Sequence, residues 1–289
     1  MSSTKSDPMK TVPSSKNYPW YLPNIDNQII PEVKTSRRAV ACLKNTVGIP
    51  SDKVREHVDD IRDKAWNIRQ YPCTGMAKFL DPMIVRSPAY PEVLSRLKEG
   101  QSFLDVGCFM GYDLRQLIFD GAPSKNSHAA DIVNHWELGY QLFNDREKFH
   151  IDYVETDILS PGDELLQLRG KIDIISVTHV LHQWNLETQL AAAIHLSLLT
   201  KGSGSLIIGF QAGGLTTKVG EVTGTKYRAE LQTPESWKRM WESVGEQTGT
   251  LWETQVRVRT WEDVGYDPKD TVYMGKELQM LEFVVTRKK

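Results

Sequence analysis

Beyond Gly100 the chain settles into short apolar runs separated by amphipathic stretches, a pattern that few architectures satisfy. Runs at 102–106, 128–132, 150–155, 172–177 and 205–210 have the length and composition of strands. Between them, Leu114, Leu117 and Ile118 line one face of a helix, and Trp136, Tyr140 and Phe143 line one face of the next. Asn185 is placed to cap a helix carrying Leu190, Ile194 and Leu198, which Lys201-Gly202 ends. Thr233-Pro234-Glu235 opens another with Trp237, Met240, Trp241 and Val244. Two strand-like segments, 251–261 and 277–286, close the chain. Strands alternating with helices predict an α/β fold, doubly wound around a mainly parallel seven-stranded sheet.

Three parts follow along the chain. Residues 1–17 are polar and rich in Ser, Lys and Pro, too poor in apolar groups to offset the entropy of ordering, so a disordered tail is expected. Residues 18–99 read as a helical extension. Within it Ser51 is a candidate N-cap for a helix whose Val54, Val58, Ile61, Ala65 and Ile68 recur every three or four residues. Tyr71-Pro72 stops that helix, because proline lacks an amide donor and disfavours helix in the residue before it. Residues 100–289 carry the α/β domain.

Of the 289 residues 40% are hydrophobic and 25% charged, which suits a chain that buries a full core. Its 35 Lys+Arg against 37 Asp+Glu leave a net charge of -2, so no overall positive field draws a phosphate backbone and nucleic acid is not an expected partner. Cys42, Cys73 and Cys108 are odd in number and never form a C-x-x-C pair, so they are expected to be reduced thiols and no metal site is expected. No apolar leader and no run of about 20 apolar residues is present, and a cytoplasmic protein that does not enter membranes is the expectation.

The stretch from Phe103 to Gly111 reads as a buried strand that enters a glycine turn and then a helix. Such a turn lets backbone approach a ligand closely. Dinucleotide enzymes place G-x-G-x-x-G there for a pyrophosphate, whereas this turn has only Gly107 and Gly111, with Asp105 at the strand end. A carboxylate repels pyrophosphate and suits a ligand with a cationic amino group and sulfonium. The chemistry therefore points to S-adenosylmethionine rather than NAD. Asp105, Asp131 and Asp157 stand at equal intervals, each ending one of three successive strands. The alternative reading of Asp131 and Asp157 is that they cap helices.

After the fourth strand comes Val177-Thr-His-Val-Leu-His-Gln-Trp-Asn185, at the edge where open α/β sheets bind ligands. His179 and His182 are candidates to orient an acceptor, or else are packed for structure and satisfied by backbone. No cysteine or carboxylate lies at ligand spacing beside them, so zinc is not expected.

Asp105-Val-Gly-Cys-Phe-Met-Gly111 resembles the first motif of class I methyltransferases, with Phe109 where the middle glycine is usual. A closer resemblance is to the methyltransferases of fungal meroterpenoid biosynthesis, which methylate a carboxylic acid of a farnesylated polyketide. It is carried by Arg69-Gln-Tyr-Pro-Cys-Thr-Gly75 with Phe79-Leu80-Asp81, by Asp105-Val-Gly-Cys108 running into Asp113-Leu-Arg-Gln-Leu117, by Phe119-Asp-Gly-Ala122 and by His179-Val-Leu-His182, within a likeness that extends from about Trp20 to the end. The resemblance implies that Asp131 binds the ribose hydroxyls, with Ile132 beside it, and that Asp157 and Ile158 flank the adenine. Thr178 joins Asp105, Gly107 and Gly111 as an expected cofactor contact. It also implies a homodimer and a methyl ester product from a small-molecule carboxylic acid.

A carboxylate acceptor is ionised at neutral pH, so no general base is required and the protein's task is alignment and exclusion of water. His179, His182, Gln183, Trp184 and Asn185 are the donors nearest the expected methyl position, with Tyr71 or Arg69 adding to them from the extension. Two segments are candidate lids: Tyr18, Trp20 and Tyr21, and the long connection 211–231 with Tyr227 and Arg228. The rival functions are an NAD(P)-dependent oxidoreductase, a nucleic-acid or amine methyltransferase, and a cofactor-binding subunit without catalysis.

Overall fold

The computed structural model describes residues 16–25, 48–50, 52–221, 228–274 and 277–289. Ser51, Cys42, Tyr227 and residues 1–15 of the expected tail lie outside them.

Helix α1, Val54–Ile68, forms where the periodic apolar face predicts it, with Val54, Val58, Ile61 and Ala65 buried. It ends at Arg69, and Pro72 then occupies the first turn of the short helix α2, Pro72–Gly75. Helix α3, Tyr90–Lys98, leads into β1, Phe103–Val106, whose four residues are all buried. The alternation then runs α4, Tyr112–Phe119; β2, Ser127–Asp131; α5, Trp136–Phe143; β3, Asp152–Glu155; α6, Asp163–Leu166; β4, Ile174–Val177; α7, Leu186–Leu199; and β5, Leu206–Gly213. A hairpin of β6, Lys218–Glu221, and β7, Arg228–Leu231, precedes α8, Pro234–Thr248, and the strands β8, Trp252–Arg259, and β9, Gln279–Arg287, finish the chain.

The sheet has seven strands in the order β3-β2-β1-β4-β5-β9-β8. The first five are parallel, and β9 enters antiparallel between β5 and β8. Strands β1, β4 and β5 are covered on both faces, which is why they read as unbroken apolar runs rather than alternating ones. On one face Leu104, Val106, Ile175, Val177 and Ile207 meet α7 and α8 through Ala192, Leu196, Trp237 and Val244. On the other, Phe103, Ala129, Ile174 and Ile208 meet α3, α4 and α5 through Val93, Leu97, Leu114 and Trp136. Helix α1 packs beside α5 over Phe109, Met110 and Leu142.

Two expectations change. Within the connection 211–231, Gln211–Gly213 continue β5 against β9, and Lys218–Glu221 pairs antiparallel with Arg228–Leu231, so its described residues are not one irregular lid. That stretch lacks apolar alternation; its pairing is anchored by tertiary bonds, Gly214 N–H to Gln232 O and Glu230 N–H to Trp184 O. The amino-terminal aromatics pack on α1. Tyr18 and Tyr21 meet the Trp66 ring, Trp20 Nε1 donates to Gln70 O at 3.2 Å, and the Tyr21 hydroxyl donates to Asp63.

Trp237 is fully buried and its ring lies 4.5 Å from that of Phe283. Trp237→Ala is expected to cost about 3–5 kcal/mol, read as a lower denaturant midpoint at unchanged slope.

Candidate active site

Strand β1 pairs with β2 on one side and β4 on the other, so the chain winds in opposite directions from it and a crevice opens beyond the carboxyl ends of these strands. Three carboxylates are buried there. Asp105 lies in register with Ser176, whose hydroxyl bonds it, yet burial foremost, and then Asp113, holds its carboxyl well above the usual carboxylate range. Burial pushes Asp113 up to about 7, although the Ile84 N–H donates to it at 3.2 Å. Asp131 is pushed up to about 6, again by burial, while the Phe109 N–H donates to its Oδ2 at 2.8 Å and the Val133 N–H to its Oδ1 at 3.0 Å. Burial is the first cause at all three, while Arg86 near Asp113 and Arg69 near Asp131 pull the other way.

The turn between β1 and α4 has left-handed backbone at Gly107, Phe109 and Gly111, with φ of 74°, 51° and 68°. A methyl group on Gly107 would stand 2.2 Å from Val180 Cγ2. Phe109 carries a side chain through a conformation that costs an L-residue roughly 1–2 kcal/mol. Its ring is buried, 4.5 Å from that of His135 and 6.2 Å from that of Phe79, so packing offsets the backbone cost and explains how phenylalanine stands where glycine is usual.

Past β4 the chain turns through Leu181–Gln183 into α7. His179 is also left-handed, with φ of 59°, and its N–H donates to Phe210 O at 2.7 Å. The His179 and His182 rings stand perpendicular, 5.9 Å apart. His179 Nε2 and His182 Nδ1 are buried and have no hydrogen-bond partner in the protein. Burial pushes His179 down to about 4 and, with the neighbouring His179, His182 down to about 3.

The remaining expected residues divide. Thr178 is half-buried at the β4 tip. Asp157 accepts the Leu159 N–H at 2.9 Å just past β3, Ile158 is buried, and Ile132 is 47% exposed beyond Asp131. Gln183 Nε2 donates to His179 O, stiffening the turn. Trp184 packs half-buried on the core, and its carbonyl accepts from Gln189 and from Glu230 of the hairpin. Asn185 is exposed and caps α7, accepting the Thr188 N–H at 2.9 Å, so that oxygen is occupied by the helix. Tyr71 arrives on the β2 side, 6.2 Å from the His135 ring and under the Arg69 guanidinium.

Three buried residues at this edge had not been singled out from sequence as site residues: Asp113, His135 and Gln211. Gln211 is 1% exposed, and neither its amide nitrogen nor its oxygen has a partner. Its signal was a polar residue inside the apolar run of β5. Among the described residues no group of three His, Cys, Asp or Glu has the geometry to hold a metal ion, and no helix is long and apolar enough to cross a membrane. A groove of about 290 Å³, lined by Arg169, Lys201 and Arg287, lies at the opposite end of the sheet and shares no residue with this crevice.

Residues 20–80 match the family described as the meroterpenoid methyltransferase N-terminal domain. Over 253 residues the chain is 37% identical to the O-methyltransferase atr3 of Stereocaulon alpinum, covering 85% of this chain and 70% of that one. It is 37% identical over 232 residues to the methyltransferase adrK of Penicillium roqueforti, covering 79% and 82%. This chain belongs to that methyltransferase family. A further member, the Asnovolin E/Chermesin D methyltransferase nvfJ of Aspergillus novofumigatus, is 36% identical over 258 residues, covering 88% of this chain and 90% of its own. The fold of the family is shared with the 1,6-didemethyltoxoflavin-N1-methyltransferase of Burkholderia thailandensis, solved with S-adenosylhomocysteine, at a TM-score of 0.51, 13% identity and coverage of 81% and 90%. It is also shared with phosphoethanolamine N-methyltransferase 2 of Haemonchus contortus, at a TM-score of 0.52, 15% identity and coverage of 80% and 60%.

Asp131 is the pin between the β1 turn and the β2 tip. Asp131→Ala is expected to speed hydrogen exchange at the Phe109 and Val133 amides by at least about tenfold, the equivalent of losing roughly 1.4 kcal/mol of protection, while exchange in β5 stays unchanged.

Proposed function

We propose that this protein transfers the methyl group of S-adenosylmethionine to a carboxylate oxygen of a small organic acid, forming a methyl ester in secondary metabolism. The observation that carries the reading is the pair of imidazoles beyond β4, perpendicular and 5.9 Å apart, with His179 Nε2 and His182 Nδ1 buried and unpartnered. They are held neutral at physiological pH, with pKa values near 4 and 3. Such weak bases are ill matched to deprotonating a phenol of pKa about 10, but a carboxylate arrives already ionised.

The residues present fit the cofactor. Asp105, buried beside two other acids, faces a ligand that brings an ammonium and a sulfonium charge. Asp131 retains lone pairs beyond those occupied by Phe109 and Val133, and these are assigned to ribose hydroxyls. Asp157 and Ile158 are assigned to the adenine edge and face, and Thr178 to the rim between nucleoside and methyl. When bound, S-adenosylmethionine supplies an electrophilic methyl group. His179 and His182 then act as neutral N–H donors that hold the acceptor carboxylate in line and replace the water it loses. Trp184 and Gln183 set the position of that turn, and the β6–β7 hairpin packs behind it.

Deuteromethyl cofactor offered with a farnesylated benzoic acid, the matching phenol and the matching benzylamine tests the acceptor. The expected product is an ester from the acid, labile to alkali; label found only in the phenol or amine overturns the acid reading. His182→Ala is expected to lower kcat/KM for the acid by on the order of 100-fold with the Kd for S-adenosylhomocysteine within about twofold.

The raised carboxylates set a pH dependence. Asp131, near 6, and Asp113, near 7, take up protons between pH 8 and pH 5 and lose the charge that attracts a cation. S-adenosylmethionine is therefore expected to bind at least about fivefold more weakly at pH 5.5 than at pH 8, and S-adenosylhomocysteine, without the sulfonium charge, to change less. Calorimetry at both pH values decides it, and equal slopes for the two ligands contradict the placement of these acids.

A further inference from the structure

The segment Asp113-Leu-Arg-Gln-Leu117 places Arg115 on α4, one turn after the glycine turn, and the side chain folds back beneath that turn. Arg115 is buried, 7% exposed, yet it reaches no strand-tip carboxylate. Its Nη1 donates to Met110 O at 2.5 Å and to Gly111 O at 3.3 Å. Its Nε and Nη2 hold Asp145 in a two-point pair, at 2.7 and 3.0 Å. The guanidinium plane is enclosed by the rings of Phe149, Phe143, Tyr140 and Trp136, at 4.0 to 5.7 Å.

A buried guanidinium needs both a counter-charge and acceptors, and here the acceptors are the carbonyls on the outer side of the turn. Gly139 gives those carbonyls room, since a methyl group on it would stand 2.3 Å from Met110 O. The Gly111 N–H donates to Cys108 O at 2.8 Å, closing the turn on itself, and the Gly111 carbonyl also accepts the Arg115 N–H at 3.0 Å as α4 begins. On the inner side the Phe109 N–H is already held by Asp131. The turn is thus gripped from both sides.

We propose that Arg115, oriented by Asp145, is a positioning residue for the cofactor: by tying the Met110 and Gly111 carbonyls to its buried guanidinium it presets the turn that receives the methionine part of S-adenosylmethionine. It rests on the cofactor half of the reading above and is independent of the acceptor. Lysine keeps the charge but lacks the planar fork, so it cannot hold two carbonyls and a carboxylate together.

The test is calorimetry of S-adenosylhomocysteine with the full chain, beside thermal unfolding. Arg115→Lys is expected to raise the Kd at least tenfold and Asp145→Asn about threefold to fivefold. Val244→Ala, in α8 on the opposite face of the sheet, is expected to lower the Tm while leaving the Kd within twofold. At saturating cofactor the acceptor KM of the Arg115 and Asp145 variants is expected to match wild type. A Kd within twofold of wild type in Arg115→Lys, with a lowered Tm, overturns the inference and leaves Arg115 as packing. Should Arg115→Lys not fold, an unchanged Kd in Asp145→Asn overturns it equally. If the wild-type chain shows no binding of S-adenosylhomocysteine, the cofactor reading falls and this inference with it.

Discussion

The bond from the Phe109 amide to the Asp131 carboxylate joins the turn after β1 to the tip of β2, and the crevice takes its form from that connection. It requires left-handed backbone at Phe109, and the backbone cost is offset by burying the ring against His135 and Phe79. It also draws a carboxylate into an interior already containing Asp105 and Asp113. Burial raises the proton affinity of all three acids, and at Asp105 the charges of Asp113 and Asp131 add to it. Perturbed acids gathered in a cleft mark a candidate functional site.

Much of this architecture was legible in the chain. Strands β1, β4 and β5 were legible because double-sided burial leaves apolar runs, and boundaries moved by only a few residues: β4 starts at Ile174 rather than at Ile172, which forms an isolated bridge to Thr200. The helix at Thr233-Pro234 was readable because its cap is local; Thr233 and Ser236 form a reciprocal capping box. The β6–β7 hairpin was not readable, since its pairing depends on Gln232 and Trp184, partners distant in sequence or set by tertiary packing.

The candidate site divides in the same way. Spacing puts acids at strand ends: Asp105 lies in β1 and Asp131 ends β2, whereas Asp157 falls two residues past the end of β3. Asp113 looked like a polar position on an amphipathic helix, and only packing under Ile84 makes it buried. Asn185 satisfied two readings, and the geometry gives its oxygen to the helix. The side on which Tyr71 arrives depends on how α1 and α2 fold back over α5, which periodicity does not encode.

The hairpin has a consequence for divergence. It forms its own two-stranded sheet, attached to the seven-stranded one by the Gly213–Gln232 bridge and to the histidine turn by Glu230. Insertions or exchanges there do not shift the register of any parallel strand. An appendage joined in this way reaches the histidine turn through one backbone bond and leaves the frame of the sheet untouched.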